Sequence, residues 1–528
     1  MATHAAVALV LHGHLPYATV GSADDRLGER WLLEALWECY LPLEAMLARL
    51  GAEGVPAALT LSISPPLGSM LRHPRLPARM ADHLAALGEV NARAARRLAA
   101  EPALATVTAS YAERLRRTSE RWRDLGGDLL GALAQHRQAG RLELLASSVT
   151  HAYLPGFAPE PGAMRTQLEL GLLSFERLCG HRPLGLWLPE CAYDAEVGRA
   201  LGCSGVGYTV VDAHGIERAR PRPAEGTRRP VLGQGGVAYF GRDQAASHQV
   251  WSRARGYPGD AVYREFYRDL GYELDDASLA GLGAGLMTGL KYYRITGPGP
   301  HKEPYLAEPA TKRAREHAEH FVEGCARGLG LAAQSIAAPL MVAAYDAELF
   351  GHWWFEGPSF LEQVLRRLAA HPELRAVTLG QYLTDHPSCA LCEPASSTWG
   401  EGGYANVWLG PRAASLWRHV HEMHRKVATA VRSQRHATGA RGLALDQAIR
   451  ESLLLQASDW PFMLHGGQLA DFARARVRGH YARAERWLEI VHAATWNGEQ
   501  ERALGELATA GGFLHELAGA ELRDAYGD

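Results

Sequence analysis

Apolar residues along the first ~390 positions gather in short runs of strand length, separated by stretches where they recur every three to four residues. The runs are Ala5–Leu11, Pro56–Ser64, Leu142–Ser148, a run through Leu184, Leu186 and Leu188, Gly205–Val211, Gly236–Phe240, Leu340–Ala344 and Ala376–Leu379. Between them, Arg30–Leu50, Arg72–Ala139, Gly162–Cys179 and Leu361–Ala370 have helical spacing or few breakers. Strands alternating with helices predict a parallel sheet, with a barrel as its closed form. From Ala395 the pattern changes. Arg412–Arg435, Leu443–Ser458, Gly467–Asn497 and Glu499–Arg523 all read as helices, so a helical C-terminal domain is expected. Pro461 marks a break between two of them.

In α/β barrels the C-terminal ends of the strands carry the chemistry, so polar residues just past each apolar run are the candidates. His12 and His14 follow the first run, and their i, i+2 spacing points both to one side of the pleat. They suit either a metal pair or hydrogen bonding to a polar ligand. His151 follows the third run. Pro189 stops the fourth, and Glu190 comes next in WLPECAY. Asp346 ends the seventh in YDAELFGHWWFEGP, beside Phe350, Trp353, Trp354 and Phe355. Two acids on separate strand ends can face each other across a barrel mouth. Retaining glycosidases need such a pair, about 5–5.5 Å apart, with one acid as nucleophile and the other as acid/base. Arg264, set among aromatics in YPGDAVYREFYRDLGYEL, suits either a carboxylate or sugar contact or a structural ion pair. Trp31 shares a helix face with Leu32, Ala35 and Leu36 and reads as core. A Gly-rich loop with Trp399 precedes Trp408, and Asp459-Trp460 sits at the helical break.

Composition narrows the function classes. A net charge of -3 over 528 residues gives no general attraction to nucleic acid or anionic membranes. Seven scattered cysteines argue for a reducing compartment, and Cys389-x-x-Cys392 with His386 is a weak zinc candidate beside the plain-loop reading. The chain begins in a strand without a signal pattern, and no apolar run approaches the ~20 residues of a membrane span. The expected location is cytoplasmic.

Five motifs, in order, resemble those of glycoside hydrolase family 57, and most closely its 1,4-α-glucan branching enzymes. They are HGHLP (His12–Pro16), the stretch Ser148–Pro155 with His151, WLPECAY (Trp187–Tyr193), Tyr345–Pro358, and STWGEGG (Ser397–Gly403). The resemblance implies a (β/α)7 barrel, placed at 1–193 and 240–394, a small inserted domain at 194–239, and a helical domain at 395–528. It implies Glu190 as nucleophile and Asp346 as general acid/base. His12, His14, His151, Arg264 and Asp459 would hold the sugar, and Trp31, Trp399, Trp408 and Trp460 would stack on the glucan. No metal or other cofactor is expected, and the partner is an α-glucan. The reaction implied is transfer of an α-1,4-glucan segment to a 6-hydroxyl by double displacement, as in glycogen biosynthesis.

One departure keeps alternatives open. Branching enzymes of this family carry a Tyr on a mobile loop over the cleft. The matching stretch here, Pro223–Val231, has none, and Arg228 stands nearest. Shielding the intermediate from water separates transfer from hydrolysis. An α-amylase-like hydrolase or 4-α-glucanotransferase is therefore the alternative. Two further readings are a metal-dependent carbohydrate deacetylase using His12, His14 and Asp212, and a glycan-binding protein without turnover.

Overall fold

The computed structural model describes residues 5–251, 256–297, 299–493 and 512–527, together with 495, 496, 498, 500 and 502. Its strands are β1 (Ala5–Gly13), β2 (Leu59–Ile63), β3 (Leu142–Ser147), β4 (Leu186–Trp187), β5 (Tyr208–Val211), β6 (Val231–Leu232), β7 (Ala238–Gly241), β8 (Leu340–Asp346), β9 (Leu374–Ala376) and β10 (Ala390–Leu391). Parallel pairing runs β4-β3-β2-β1-β8, and a second sheet pairs β5 with β7. The two sheets meet on both sides. Gly185 bridges Tyr208, which joins β4 to β5. Just past β7, Asp243 donates its N–H to the Val342 carbonyl at 2.8 Å, which joins β7 to β8. Seven strands thus close a ring in the order 1-2-3-4-5-7-8, a barrel as the alternating pattern predicts, with the seven strands that the family resemblance implies. Closure leaves no free edge among the seven. The eighth expected run, Ala376–Leu379, contributes β9, which pairs with the first residues of β1 outside the ring. Leu379 itself opens the helix Leu379–Asp385.

Residues 194–239 do not stand apart as an inserted unit. They hold β5 and the start of β7, because the buried run Tyr208–Val211 needs partners on both sides and finds them in the ring. Only β6 and β10 form a small addition, on the outer flank of β7. The helical excursion after β2 folds as Leu76–Arg97, Pro102–Asp124 and Leu129–Gln138. A 27-residue helix, Ala307–Ala333, lies in a stretch where the sequence reading assigned no element. Its Ala310, Ala314, Ala318, Phe321 and Val322 are buried at helical spacing.

After β10 the described chain runs mainly in helices, Ala414–Gln434, Gly439–Leu454, Asp459–Gly466, Ala470–His492 and Gly519–Gly527. The first part of the expected helix 499–523 lies largely outside the described residues. Pro461 breaks nothing. It falls in the first turn of Asp459–Gly466, where its missing N–H has no helical partner to lose. The true break is Leu455–Ser458, which Ala457 ties to the barrel side through a bridge to Ala152. That bridge brings the C-terminal helices against the barrel mouth.

Candidate active site

Side-chain parity decides what reaches the mouth of the barrel. On β1, Ala6, Ala8 and Val10 face the interior, and Val7, Leu9 and Leu11 face the helices. A period of two therefore puts His12 inside, above three apolar layers. On β8 the interior set is Leu340, Val342 and Ala344, and Asp346 comes next. Val210 precedes Asp212 and Phe240 precedes Arg242 in the same way. Register then sets neighbours: His12 pairs with Ser62 of β2 on one side and Asp346 of β8 on the other. The apolar lower layers fill the barrel, and the polar top layer floors a cleft of about 1560 Å³. His12, His14, His151, Glu190, Asp346, Trp399, Trp408, Asp459 and Arg264 all line it.

Glu190 leaves β4 at once, since Pro189 cannot continue the ladder. Its backbone is left-handed (φ 63°), as is that of His151 (φ 53°). Such conformations cost on the order of 1–3 kcal/mol each. Bonds from other segments hold both in place: Trp399 N–H to the Glu190 carbonyl at 2.9 Å, and Ser458 N–H to the His151 carbonyl at 3.1 Å. The carboxylate is clasped as well. Trp399 Nε1–H donates to Oε2 at 2.9 Å and the Ser458 hydroxyl donates to Oε1 at 2.9 Å. Burial raises the Glu190 pKa, and these two bonds offset part of that rise.

Asp346 is pushed well above the usual carboxylate range, first by burial, then by the negative charges of Glu348 and Glu190, against Arg242. The two acids thus feel each other across one cleft. One is clasped by donors that favour its ionised form, and the other is biased toward keeping its proton.

Three imidazoles stack beside them, with His14 and His151 centroids 3.9 Å apart and His12 and His151 4.7 Å apart. His14 bonds Ser64 Oγ through Nδ1 (2.8 Å) and Asp459 through Nε2 (3.1 Å). Burial lowers the pKa of His12 and His151 well below the ordinary imidazole value, which favours the neutral form of both rings at neutral pH. Among the described residues no three His, Cys, Asp or Glu side chains converge as a metal set. Asp212 instead meets His214 (3.0 Å) and Arg242 (3.6 Å).

Other predicted residues are placed differently. Arg264 reaches the cleft wall, but its side chain is only 1% exposed. Its guanidinium is engaged by Glu38 (2.7 Å), the Gly289 and His352 carbonyls, and the Phe355 ring face. The ion-pair reading describes that environment. Glu38 sits on a π-helical turn, Leu36–Tyr40. Gly351 lets the loop after β8 approach this turn, because a Cβ there would lie 1.9 Å from the Glu38 carbonyl oxygen. Trp408 lines the cleft but is 1% exposed and stacked on Tyr153. Trp31, edge-on to Phe472, and buried Trp460, bonded to the Leu454 carbonyl, stand outside the cavity wall. Arg228 also stands outside it, paired with Asp243 at 3.0 Å.

The sequence reading missed Ser62, Ser64, Ser458, Arg242 and Glu348 as site residues. Ser62 and Ser64 repeat the i, i+2 spacing of His12 and His14 on the neighbouring strand, a signal that was present. Glu348 accepts from Tyr40 and from the His14 N–H, and burial holds its pKa up at about 7.

Residues 8–275 match the model of glycosyl hydrolase family 57, just over half of the chain. The chain belongs to glycoside hydrolase family 57. Residues 419–518 match a second model, the C-terminal region of 1,4-alpha-glucan branching enzyme. A Mycobacterium tuberculosis protein named "Probable 1,4-alpha-glucan branching enzyme" is 33% identical over 502 residues, 89% of each chain. Among solved structures, an alpha-amylase from Thermotoga maritima superposes with a TM-score of 0.88 at 30% identity, covering 98% of this chain and 99% of that one. A family 57 branching enzyme from Pyrococcus horikoshii gives 0.86 at 28% identity, covering 98% and 97%. This family 57 chain therefore matches enzymes of the family over nearly its whole length.

Proposed function

We propose that this family 57 enzyme is a 1,4-α-glucan branching enzyme working by double displacement, with Glu190 as nucleophile and Asp346 as general acid/base. The observation that carries the reading is the environment of the two acids. A nucleophile must be ionised, and Glu190 accepts hydrogen bonds on both carboxylate oxygens. A general acid must hold its proton near neutral pH, and Asp346 is pushed upward by burial and two nearby charges. Glu190 attacks the anomeric carbon while Asp346 protonates the departing glucan oxygen. Asp346 then takes the proton from the 6-hydroxyl of a second chain as that oxygen displaces Glu190. His14 and Asp459, bonded to each other at the cleft wall, supply polar contacts to the sugar, and Trp399 supplies ring surface.

Hydrolysis is the second reading, favoured by the missing loop Tyr and by the likeness to an alpha-amylase structure. Incubation with amylose followed by linkage analysis separates the two. New α-1,6 linkages without matching gain in reducing ends support branching, and reducing ends without branches overturn it in favour of the hydrolase. We place the activity in a cytoplasmic glycogen pathway, a reading supported by seven unpaired cysteines, while no described helix is long and apolar enough to cross a membrane.

A further inference from the structure

Four hydrogen bonds join the floor of the barrel mouth to Glu190 in one line. Ser62 Oγ lies 2.5 Å from His12 Nδ1, and His12 Nε2 lies 2.8 Å from His151 Nε2. His151 Nδ1 lies 2.8 Å from Ser458 Oγ, which lies 2.9 Å from Glu190 Oε1. Donor counting fixes the direction of the line. An ionised carboxylate only accepts, so the single hydroxyl hydrogen of Ser458 points to Glu190. Ser458 must then accept from His151 Nδ1–H. A neutral His151 has a bare Nε2, which accepts from His12 Nε2–H, and the bare His12 Nδ1 accepts from Ser62. Every bond donates toward Glu190. A proton on Glu190 Oε1 would take from the Ser458 hydroxyl hydrogen its acceptor, so the bond that ends the line is made only with the ionised carboxylate.

We propose that Ser458 is a positioning residue of the reaction and that Ser62, His12 and His151 set its polarity, so that the line keeps the Glu190 carboxylate ionised and aimed. This rests on the reading of Glu190 as nucleophile. Neither serine needs to touch the sugar. Ser62 is fully buried beside His12, and Ser458 is 1% exposed. The geometry also joins the two halves of the molecule, since Ser62 belongs to β2 and Ser458 to the break before the helix Asp459–Gly466. Docking of the C-terminal helices thereby completes the charge state of the barrel's acid. The indole of Trp399 serves the other oxygen, Oε2, and stays in place when the line is cut.

The test is the pH profile of kcat/KM, whose acid limb reports the nucleophile in the free enzyme. The titratable groups that face Glu190 are His14 just past β1, His151 after β3, Asp459 on the C-terminal helix and Asp346 on β8, with Tyr153 and Cys191 beside it. Of these, only His151 belongs to the line. Ser458→Ala removes one donor to the charged form, and a bond of that kind corresponds to an upward move of the acid limb by about one pH unit or more. Ser458→Thr restores the hydroxyl and the limb. Ser62→Ala, four hydrogen bonds from Glu190, moves the limb in the same direction by less, and it keeps the test open should Ser458→Ala fold poorly. A limb that stays put in both alanine variants overturns the inference. Glu190→Gln is run alongside: retained turnover there removes the nucleophile reading itself, whereas a dead Glu190→Gln with an unmoved limb in the serine variants removes only the role of the line.

Discussion

Trp399 holds Glu190 twice, through its backbone N–H to the Glu190 carbonyl and through its indole N–H to carboxylate oxygen Oε2, both at 2.9 Å. The first bond stabilises a left-handed backbone, and the second favours the ionised side chain. Trp399→Phe separates them, since it keeps the ring and the backbone bond and loses the indole donor. Losing a hydrogen bond to a charged group costs about 1.5–3 kcal/mol, so turnover should fall by roughly ten- to a hundredfold. Its acid limb should also rise. Steady-state branching rates across pH check both, and an unchanged limb with unchanged rate would count against the clasp.

Asp346→Asn should divide the reaction at its intermediate. A donor with a leaving group that needs no protonation, such as a nitrophenyl oligoglucoside, can still glycosylate Glu190. The 6-hydroxyl that follows has lost its base. Intact-protein mass spectrometry should therefore find the glycosyl adduct in the variant, while turnover of amylose drops by about 10²–10⁴-fold. Absence of any adduct together with full amylose activity would remove Asp346 from the mechanism.

Glu348 shapes the alkaline side. Its charge is the second cause, after burial, that raises Asp346. Neutralising it in Glu348→Gln lowers the Asp346 pKa, so the acid loses its proton earlier. The alkaline limb of the rate profile should then shift to lower pH, with the acid limb less affected. An upward shift would contradict the sign.

Glu38 makes a stability prediction. Burial pushes its pKa up, but Arg264 and His352 overcome that and hold it at about 2, below its ordinary 4.5. A depressed carboxyl stabilises the fold above its unfolded pKa, and that contribution is lost as pH falls from about 4.5 toward about 2. Glu38→Gln leaves Arg264 buried without its counter-charge, a change that costs about 3–5 kcal/mol. Urea melts at neutral pH should show the loss, and the gap to the parent should narrow through the acid window. A constant gap would mean packing, not charge, is responsible.

Much of the scaffold was legible because strand length and the period of two are local properties. β1, β2, β3 and β8 each appear as an apolar run, and His12, His14, His151 and Asp346 at or past their ends line the cleft. β4 is only two residues, and Leu188 leaves the ladder because Pro189 follows. The helix Ala307–Ala333 went unassigned although its small buried alanines keep helical spacing, since alanine is a weak signal of burial. Arg264 had two readings in the sequence. Its choice of Glu38 depends on a π-helical turn more than two hundred residues away, which local spacing cannot reveal.

The alternating pattern by itself pointed to a parallel α/β sheet or barrel with Glu190 and Asp346 at strand ends, and the order of the motifs carried the resemblance to family 57. Those properties are carried by short stretches, where side-chain alternation follows from backbone geometry alone. Tertiary structure alone decided the register that sets Ser62, His12 and Asp346 in one layer, and the docking that brings Ser458 to Glu190 from 268 residues away. Hydrogen-bond direction and the charge state of a buried acid depend on which groups surround it in space. A sequence orders groups along the chain, and only the folded chain sets the distances at which they act.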